Sequence, residues 1–211
     1  MKYSRAAVGQ AVEHLRSTDR VMRRLIDEAG PCTLRPQRDR FAMLVNSIIS
    51  QQISTGAARS IRQRLVELTQ PQGVTPAGLL RFSPEQLRTA GVSPQKASYV
   101  LDLAEKVHSG EVDLARIGRC ADEQVISQLI LVKGIGRWTA QMFLIFSLGR
   151  LDVLPHDDLG VRTGIRDRYE LGDLPDKATC ERIAVPWRPY ATIASWYCWR
   201  SLDLKRTAGK G

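Results

Sequence analysis

The stretch Leu131-Val132-Lys133-Gly134-Ile135-Gly136-Arg137-Trp138-Thr139-Ala140 places two glycines in a short turn between two segments of helical period. Glycine takes positive φ at little cost and leaves the main chain bare. The N–H groups of such a turn can therefore approach a phosphate oxygen, and the N-terminus of the following helix adds a favourable dipole. A turn of this kind grips a nucleic-acid backbone without reading bases. The same residues also suit a plain αα-turn with glycine C-caps. A weaker echo, Leu87-Arg88-Thr89-Ala90-Gly91-Val92-Ser93-Pro94-Gln95-Lys96-Ala97, carries one glycine and suits a second hairpin. Downstream, Leu154-Pro155-His156-Asp157-Asp158-Leu159-Gly160-Val161-Arg162 sets two adjacent carboxylates before a helical stretch, where each taken alone reads as an N-cap. His156 beside them suits a phosphate contact, but one histidine without partners is no metal site.

The charge balance agrees with a polyanionic partner. Lys and Arg number 31 against 22 Asp and Glu, a formal net charge of +9 on 211 residues, which favours nucleic acid ahead of a membrane surface. At 43% hydrophobic and 25% charged, the chain can bury one substantial core or two small lobes, and disorder is excluded as its main state. The longest apolar run, Met142-Phe143-Leu144-Ile145-Phe146, falls far short of the roughly 18 residues of a spanning helix. The opening Met1-Lys2-Tyr3-Ser4-Arg5 leads into mixed residues rather than a signal-peptide core, giving the expectation of a cytoplasmic protein with reduced thiols. Cys32, Cys120, Cys180 and Cys198 form no C-x-x-C pair, which argues against a zinc site or an iron–sulfur cluster and for small buried or half-buried side chains. His14 and His108 read as solvated helix positions.

The elements that must hold these groups are helical almost throughout. Apolar residues recur at helical spacing from Ala6 to Ala29, with Ser17-Thr18-Asp19 as a break and N-cap. A helix from Arg40 to Gln51 buries Phe41, Leu44, Val45, Ile48 and Ile49, and another is opened by Ser54 or Thr55. Pro71, Gly73, Pro76 and Gly78 punctuate a loop. Ser83-Pro84 and Ser93-Pro94 each open a helix, the second closing at Gly110. Further helices begin near Asp122 and after Gly136, the latter running to Gly149, and Pro189 suits the first turn of a last helix on which Tyr190, Ile193 and Tyr197 share a face. With no strand-period segment, the predicted fold class is all-α, ending in a disordered polar tail at 205–211.

Taken together, the two motifs resemble the helix-hairpin-helix DNA glycosylases, and more narrowly their 3-methyladenine DNA glycosylase II (AlkA-like) branch. The branch's G-I-G-R-W-T-A is met by Gly134 to Ala140 and its L-P-x-D-D by Leu154 to Asp158. The similarity runs from about Phe41 to Trp199 and includes no counterpart of the N-terminal β-rich domain some members carry. It implies one catalytic unit over 1–211 built of two helical subdomains, 41–149 with the hairpin at 131–140 and 1–40 plus 150–204, with the active-site cleft between them.

The resemblance also implies roles. It makes Asp157 the catalytic carboxylate, a lone buried anion opposite the sugar of an extruded nucleoside, while Asp158 stays a cap. Cleaving an N-glycosidic bond builds positive charge on deoxyribose, and a fixed anion lowers that barrier and orients the attacking water. Bifunctional relatives carry a lysine two residues after the second hairpin glycine. Trp138 stands there instead, implying a monofunctional enzyme that leaves an abasic site. An indole face also suits a flipped, electron-poor methylated purine. The base pocket is expected to draw on Trp138, Met142, Gln51, Leu159, Tyr190 and Trp196. Gln52 is expected to plug the gap left in the stack, and Lys133, Gly134, Ile135, Gly136, Arg137 and Thr139 to hold DNA, with Arg162 a further phosphate partner. The carbonyls of Ile130, Val132 and Ile135 are implied to hold a structural monovalent cation, Na+ or K+, with no cofactor required for chemistry. The expected protein is a monomer acting on alkylated purines, 3-methyladenine first, in damaged double-stranded DNA. The readings beside it are a glycosylase for deaminated or oxidised bases and a non-catalytic damage-binding hairpin module.

Overall fold

Asp19 separates the first two helices because its side chain is worth more as a cap than as a helical residue. In the computed structural model, which describes residues 3–208, α1 (Arg5–Thr18) and α2 (Arg20–Ala29) meet at this carboxylate, whose Oδ1 accepts the N–H groups of Val21 and Met22 at 2.8 and 3.0 Å. Its other oxygen accepts the Trp187 indole N–H at 3.0 Å and the Tyr169 hydroxyl. Asp19 is buried, and four donors stand in for the water it lost. Burial first, then the Asp19 carboxylate, push the Tyr169 phenol far above its ordinary range, which keeps it a donor.

All regular structure among the described residues is helical, and the chain divides into two compact units, Gln37–Phe143 and Met1–Pro36 with Leu144–Gly211. The first unit holds α3 (Arg40–Ser50), α4 (Thr55–Leu68), α5 (Pro76–Leu79), α6 (Pro84–Thr89), α7 (Pro94–Ser109) and α8 (Asp122–Leu129), and it contains the start of α9 (Arg137–Phe146). Asp39, Ser54, Thr75, Ser83 and Ser93 each accept a main-chain N–H as N-caps of α3 to α7. Each such cap is worth about 1 kcal/mol. Proline follows the cap in α5, α6 and α7, where its missing N–H costs nothing. The axis of the unit is α7, which lies against α3, α5 and α6 and buries Ala97, Val100, Leu103 and Ala104. The echo at 87–97 is a helical hairpin in the structure, with Gly91 at φ +87° between α6 and α7.

In the second unit α10 (Leu159–Arg168), α11 (Lys177–Ile183) and α12 (Ala191–Ala208) join α1 and α2, with α12 packed on α10 and α2. Gly160 and Gly164 allow the close approach of α12. A Cβ at 164 would stand 2.8 Å from the Cβ of Cys198, and one at 160 would stand 2.8 Å from the Trp199 ring.

Several expected boundaries move. The loop at 71–78 contains α5, because Thr75 caps a turn that Pro76 opens. The hairpin's second helix ends at Phe146 rather than Gly149, and α12 starts at Ala191, leaving Pro189 before it. Residues 205–208 are helical, not a disordered tail, because Lys205 reaches Asp167 at 3.0 Å and Asp203 pairs with Arg200 and Arg206 along the helix; 209–211 lie outside the described residues. His14 is not simply solvated, since its Nε2 lies 3.0 Å from the Pro186 carbonyl. Cys180 and Cys198 are buried, Cys32 and Cys120 half-buried.

Candidate active site

The hairpin turn is fixed from both sides by apolar side chains. Val132 and Ile135 are buried, and their main chains close the turn through Val132 N–H to Leu129 O and Ile135 N–H to Val132 O, both 3.1 Å. Gly134 sits at φ +78°, and a Cβ there would fall 2.1 Å from the Tyr99 ring of α7. Both conformation and contact demand glycine at this position. Gly136 is different: its φ is not in the left-handed region, and a Cβ would meet nothing within 4 Å, so the expected positive φ belongs to Gly134 alone of the pair. What Gly136 contributes is exposed main chain at the start of α9. Asp102 of α7 accepts the Lys133 N–H at 2.8 Å, with the Lys133 ammonium 3.7 Å from its other oxygen.

One expected DNA contact needs correcting, and two expected arginines already have partners within the chain. Thr139 is buried, because its side of the first turn of α9, away from Trp138, faces the interior, so its hydroxyl is not a surface donor. The Arg137 guanidinium holds Glu123 through two hydrogen bonds, one of 3.0 Å, and a phosphate would compete with that pair. Arg162 similarly donates to the Pro175 carbonyl at 2.8 Å.

The turn after α3 is the second feature of this unit. Gln51 ends the helix and Gln52 follows at φ +56°, exposed at the tip with Ile53. Left-handed backbone is uncommon for a residue with a side chain, so something must hold it. Lys96 of α7 donates to the carbonyls of Ile49 at 2.8 Å and Gln51 at 2.6 Å, and burial holds its ammonium pKa below the usual lysine range. The Gln51 amide donates to the Gly134 carbonyl at 2.8 Å. That residue therefore ties the turn to the hairpin, whereas the sequence had suggested that it lines a base pocket.

In the other unit, the paired aspartates divide their work. Asp158 caps α10, and its Oδ1 accepts Val161 N–H at 2.8 Å and the Trp199 indole at 2.7 Å. Trp199 in turn stacks on Phe146, centroids 5.5 Å apart. Asp158 is buried, while the Asp157 side chain is 62% exposed with Oδ1 3.0 Å from His156 Nδ1. The expected burial of Asp157 is thus corrected: Asp158 takes the interior position because the cap and the indole require it, and Asp157 faces outward one residue before the cap. The dipole of α10 favours an anion there. Leu159 beside it is exposed.

The expected aromatic lining divides similarly. Trp138, in the first turn of α9, keeps 43% of its surface exposed, whereas Met142 one turn on is core. Tyr190 is also core, edge-on to His14 at 5.3 Å, and Trp196 is half-buried against Tyr197 at 4.9 Å. Among the described residues no cluster of three His, Cys, Asp or Glu could hold a metal. Sequence reasoning missed Lys96, Tyr99, Asp102 and Trp199. Their partners lie 31 to 47 residues away in the chain for the bonds of Lys96, Asp102 and Trp199, so no local pattern marks them.

One unit thus presents a glycine hairpin and a left-handed polar turn, and the other an outward carboxylate just before a helix cap. Residues 45–189 match the HhH-GPD superfamily base excision DNA repair protein family, and the chain belongs to that family. It is 30% identical over 202 residues to the alkylbase DNA glycosidase-like protein mag2 of Schizosaccharomyces pombe, covering 93% of this chain and 95% of the relative. Its fold superposes on the S. pombe 3-methyladenine DNA glycosylase in complex with abasic DNA with a TM-score of 0.81, at 32% identity over 92% of this chain and 97% of that one. A DNA-3-methyladenine glycosidase from Bacillus halodurans gives a TM-score of 0.84, at 36% identity over 93% and 91% of the two chains.

Proposed function

We propose that this base excision repair glycosylase is monofunctional, flips an alkylated purine, 3-methyladenine first, out of double-stranded DNA and hydrolyses its N-glycosidic bond with Asp157 as the catalytic carboxylate. The observation that carries the assignment is the split between the two aspartates, one committed to Trp199 and the α10 cap, the other outward and joined to His156. The relatives named for alkylated bases support the lesion class.

In this reading the C1′–N bond breaks with its electron pair passing to the base. A base alkylated to a cation leaves as a neutral molecule and needs little acid help. The sugar becomes positive as the bond lengthens. Asp157 stabilises that charge, takes a proton from the water that attacks C1′, and releases it to solvent. The exposed Trp138 indole stacks on the extruded base. No lysine stands at that position to form a Schiff base, so the abasic strand is left uncut.

The hairpin binds phosphate through main chain exposed at Gly134 and Gly136, with Lys133 nearby. Three carbonyls of the same turn, from Ile130, Val132 and Ile135, are hard neutral oxygens suited to Na+ or K+ rather than to a soft metal. The Val132 oxygen already accepts one N–H, and a carbonyl retains a second lone pair. A cation there would add charge toward phosphate and take no part in bond cleavage. The enzyme is proposed to act as a monomer on nucleoid DNA in the cytoplasm, and the net charge of +9 suits that polyanion.

The test is incubation of the purified protein with duplex oligonucleotides bearing a single 3-methyladenine, 7-methylguanine, hypoxanthine or 1,N6-ethenoadenine. Release of the alkylated purines, leaving abasic sites in uncut strands, is expected. Release confined to hypoxanthine would replace this reading with one of deaminated-base repair.

A further inference from the structure

Along one face of α7, three side chains spaced by three residues reach the hairpin and the Gln51–Gln52 turn of the same unit. Lys96 holds the Ile49 and Gln51 carbonyls, the Tyr99 ring occupies the space where a Gly134 side chain would be, and Asp102 accepts the Lys133 N–H. The circuit closes through the Gln51 amide on the Gly134 carbonyl. One rigid helix thereby sets the spacing between the hairpin and the Gln51–Gln52 turn.

We propose that Lys96 is a positioning residue for base extrusion: its ammonium fixes the end of α3 so that Gln52 projects at a set distance from the hairpin. The proposal rests on the reading of Gln52 as the residue that enters the DNA stack. The last carbonyls of a helix have no partner within it and carry its negative end. A cation with two N–H groups directed at two of them stabilises the helix end and, with it, the left-handed Gln52 that follows. Lys96 is half-buried and its bonds are short, so the group is not a loose surface lysine. Its position in the first turn of α7, after the Ser93 cap and Pro94, gives that end of the circuit a defined origin. Nothing in this role requires Lys96 to touch DNA.

The experiment is a mutant cycle of Lys96→Met, Gln52→Ala and the double variant, with Lys96→Arg and Asp157→Asn as references. Single-turnover base release is measured from an alkylated duplex and from the same lesion in a single strand, alongside affinity for undamaged duplex and thermal melting. Extrusion is demanding in the duplex and nearly free in the single strand. Lys96→Met should slow duplex release roughly 10- to 100-fold, the scale expected of small misplacements, while leaving single-strand release and undamaged-duplex affinity within about twofold. The double variant should be no slower than Gln52→Ala, because the lysine acts through that residue, and Lys96→Arg should restore most of the rate. Equal loss on both substrates, additive losses in the cycle, or an unaffected Lys96→Met duplex rate overturns the proposal. A Gln52→Ala enzyme with the parent duplex rate overturns it too, through the wedge reading. Failure of the catalytic reading is separate, showing as an unaffected rate in Asp157→Asn.

Discussion

The indole N–H of Trp199 donates to Oδ1 of Asp158 at 2.7 Å, and this bond separates the tasks of two adjacent carboxylates. A carboxylate that accepts an indole and caps a helix is spent as structure. Its neighbour, outward and touching His156, retains a lone-pair surface for a substrate. Gly160 permits the arrangement, since a side chain there would collide with the Trp199 ring and crowd the Asp158 oxygen.

Trp199→Phe keeps the stack on Phe146 and removes the donor, leaving a buried acceptor short of a partner. Stability should fall by about 1–3 kcal/mol, read from urea unfolding at constant m, with DNA affinity unchanged.

The two hairpin glycines should respond differently to alanine. Gly134→Ala meets both left-handed backbone and the Tyr99 ring, and a loss of about 3 kcal/mol is expected. Gly136→Ala meets open space and should stay within about 0.5 kcal/mol of the parent. Adding Tyr99→Ala to Gly134→Ala relieves the contact but not the φ, so chemical denaturation should show partial recovery.

His156→Ala frees the Asp157 carboxylate from its one ring contact at 3.0 Å. Base release should slow roughly 3- to 10-fold with DNA affinity unchanged, because the carboxylate then samples unproductive rotamers. Equal slowing of binding and release would instead mean that His156 holds DNA.

The hydrogen bond from Arg166 is the largest influence holding the Asp167 carboxyl below its ordinary pKa of 3.8; burial opposes it, and the Lys205 hydrogen bond adds to it. A depressed folded-state pKa contributes stability that is present above 3.8 and lost as pH falls through the folded value. Asp167→Asn should therefore lower the melting temperature near neutral pH by a small amount, since the site is largely solvent-screened. The difference from the parent should shrink as pH falls below 3.8 and through the lower folded-state value.

Most helices were legible in the sequence because period and cap coincide: Asp19, Ser54, Ser83 and Ser93 stand where the apolar period restarts and each makes its capping bond. The hairpin was legible from its glycines, although the contact with Tyr99, which adds to the left-handed φ in fixing Gly134, comes from another helix and left no local mark. The offset between Asp157 and Asp158 was readable from family likeness, and the exposure of the former was not. It depends on Trp199, a residue 41 positions away from Asp158, whose approach requires Gly160. Tyr190 and Met142 look like pocket residues in a linear reading, and both are core: Met142 lies on the inward face of α9, and Tyr190 packs edge-on against His14 just before α12. The circuit through Lys96 had no linear signature, since a lysine near a helix start usually reads as solvated surface.

The most direct measurement is single-turnover release of an alkylated purine from duplex DNA by the parent protein, Asp157→Asn and Asp158→Asn, with DNA affinity and folding measured alongside. The account predicts that Asp157→Asn loses at least about 100-fold in rate while still folding and binding DNA, and that Asp158→Asn loses stability but keeps release per folded molecule. A parent-like rate in Asp157→Asn, or abolished release in a fully folded Asp158→Asn, would contradict it.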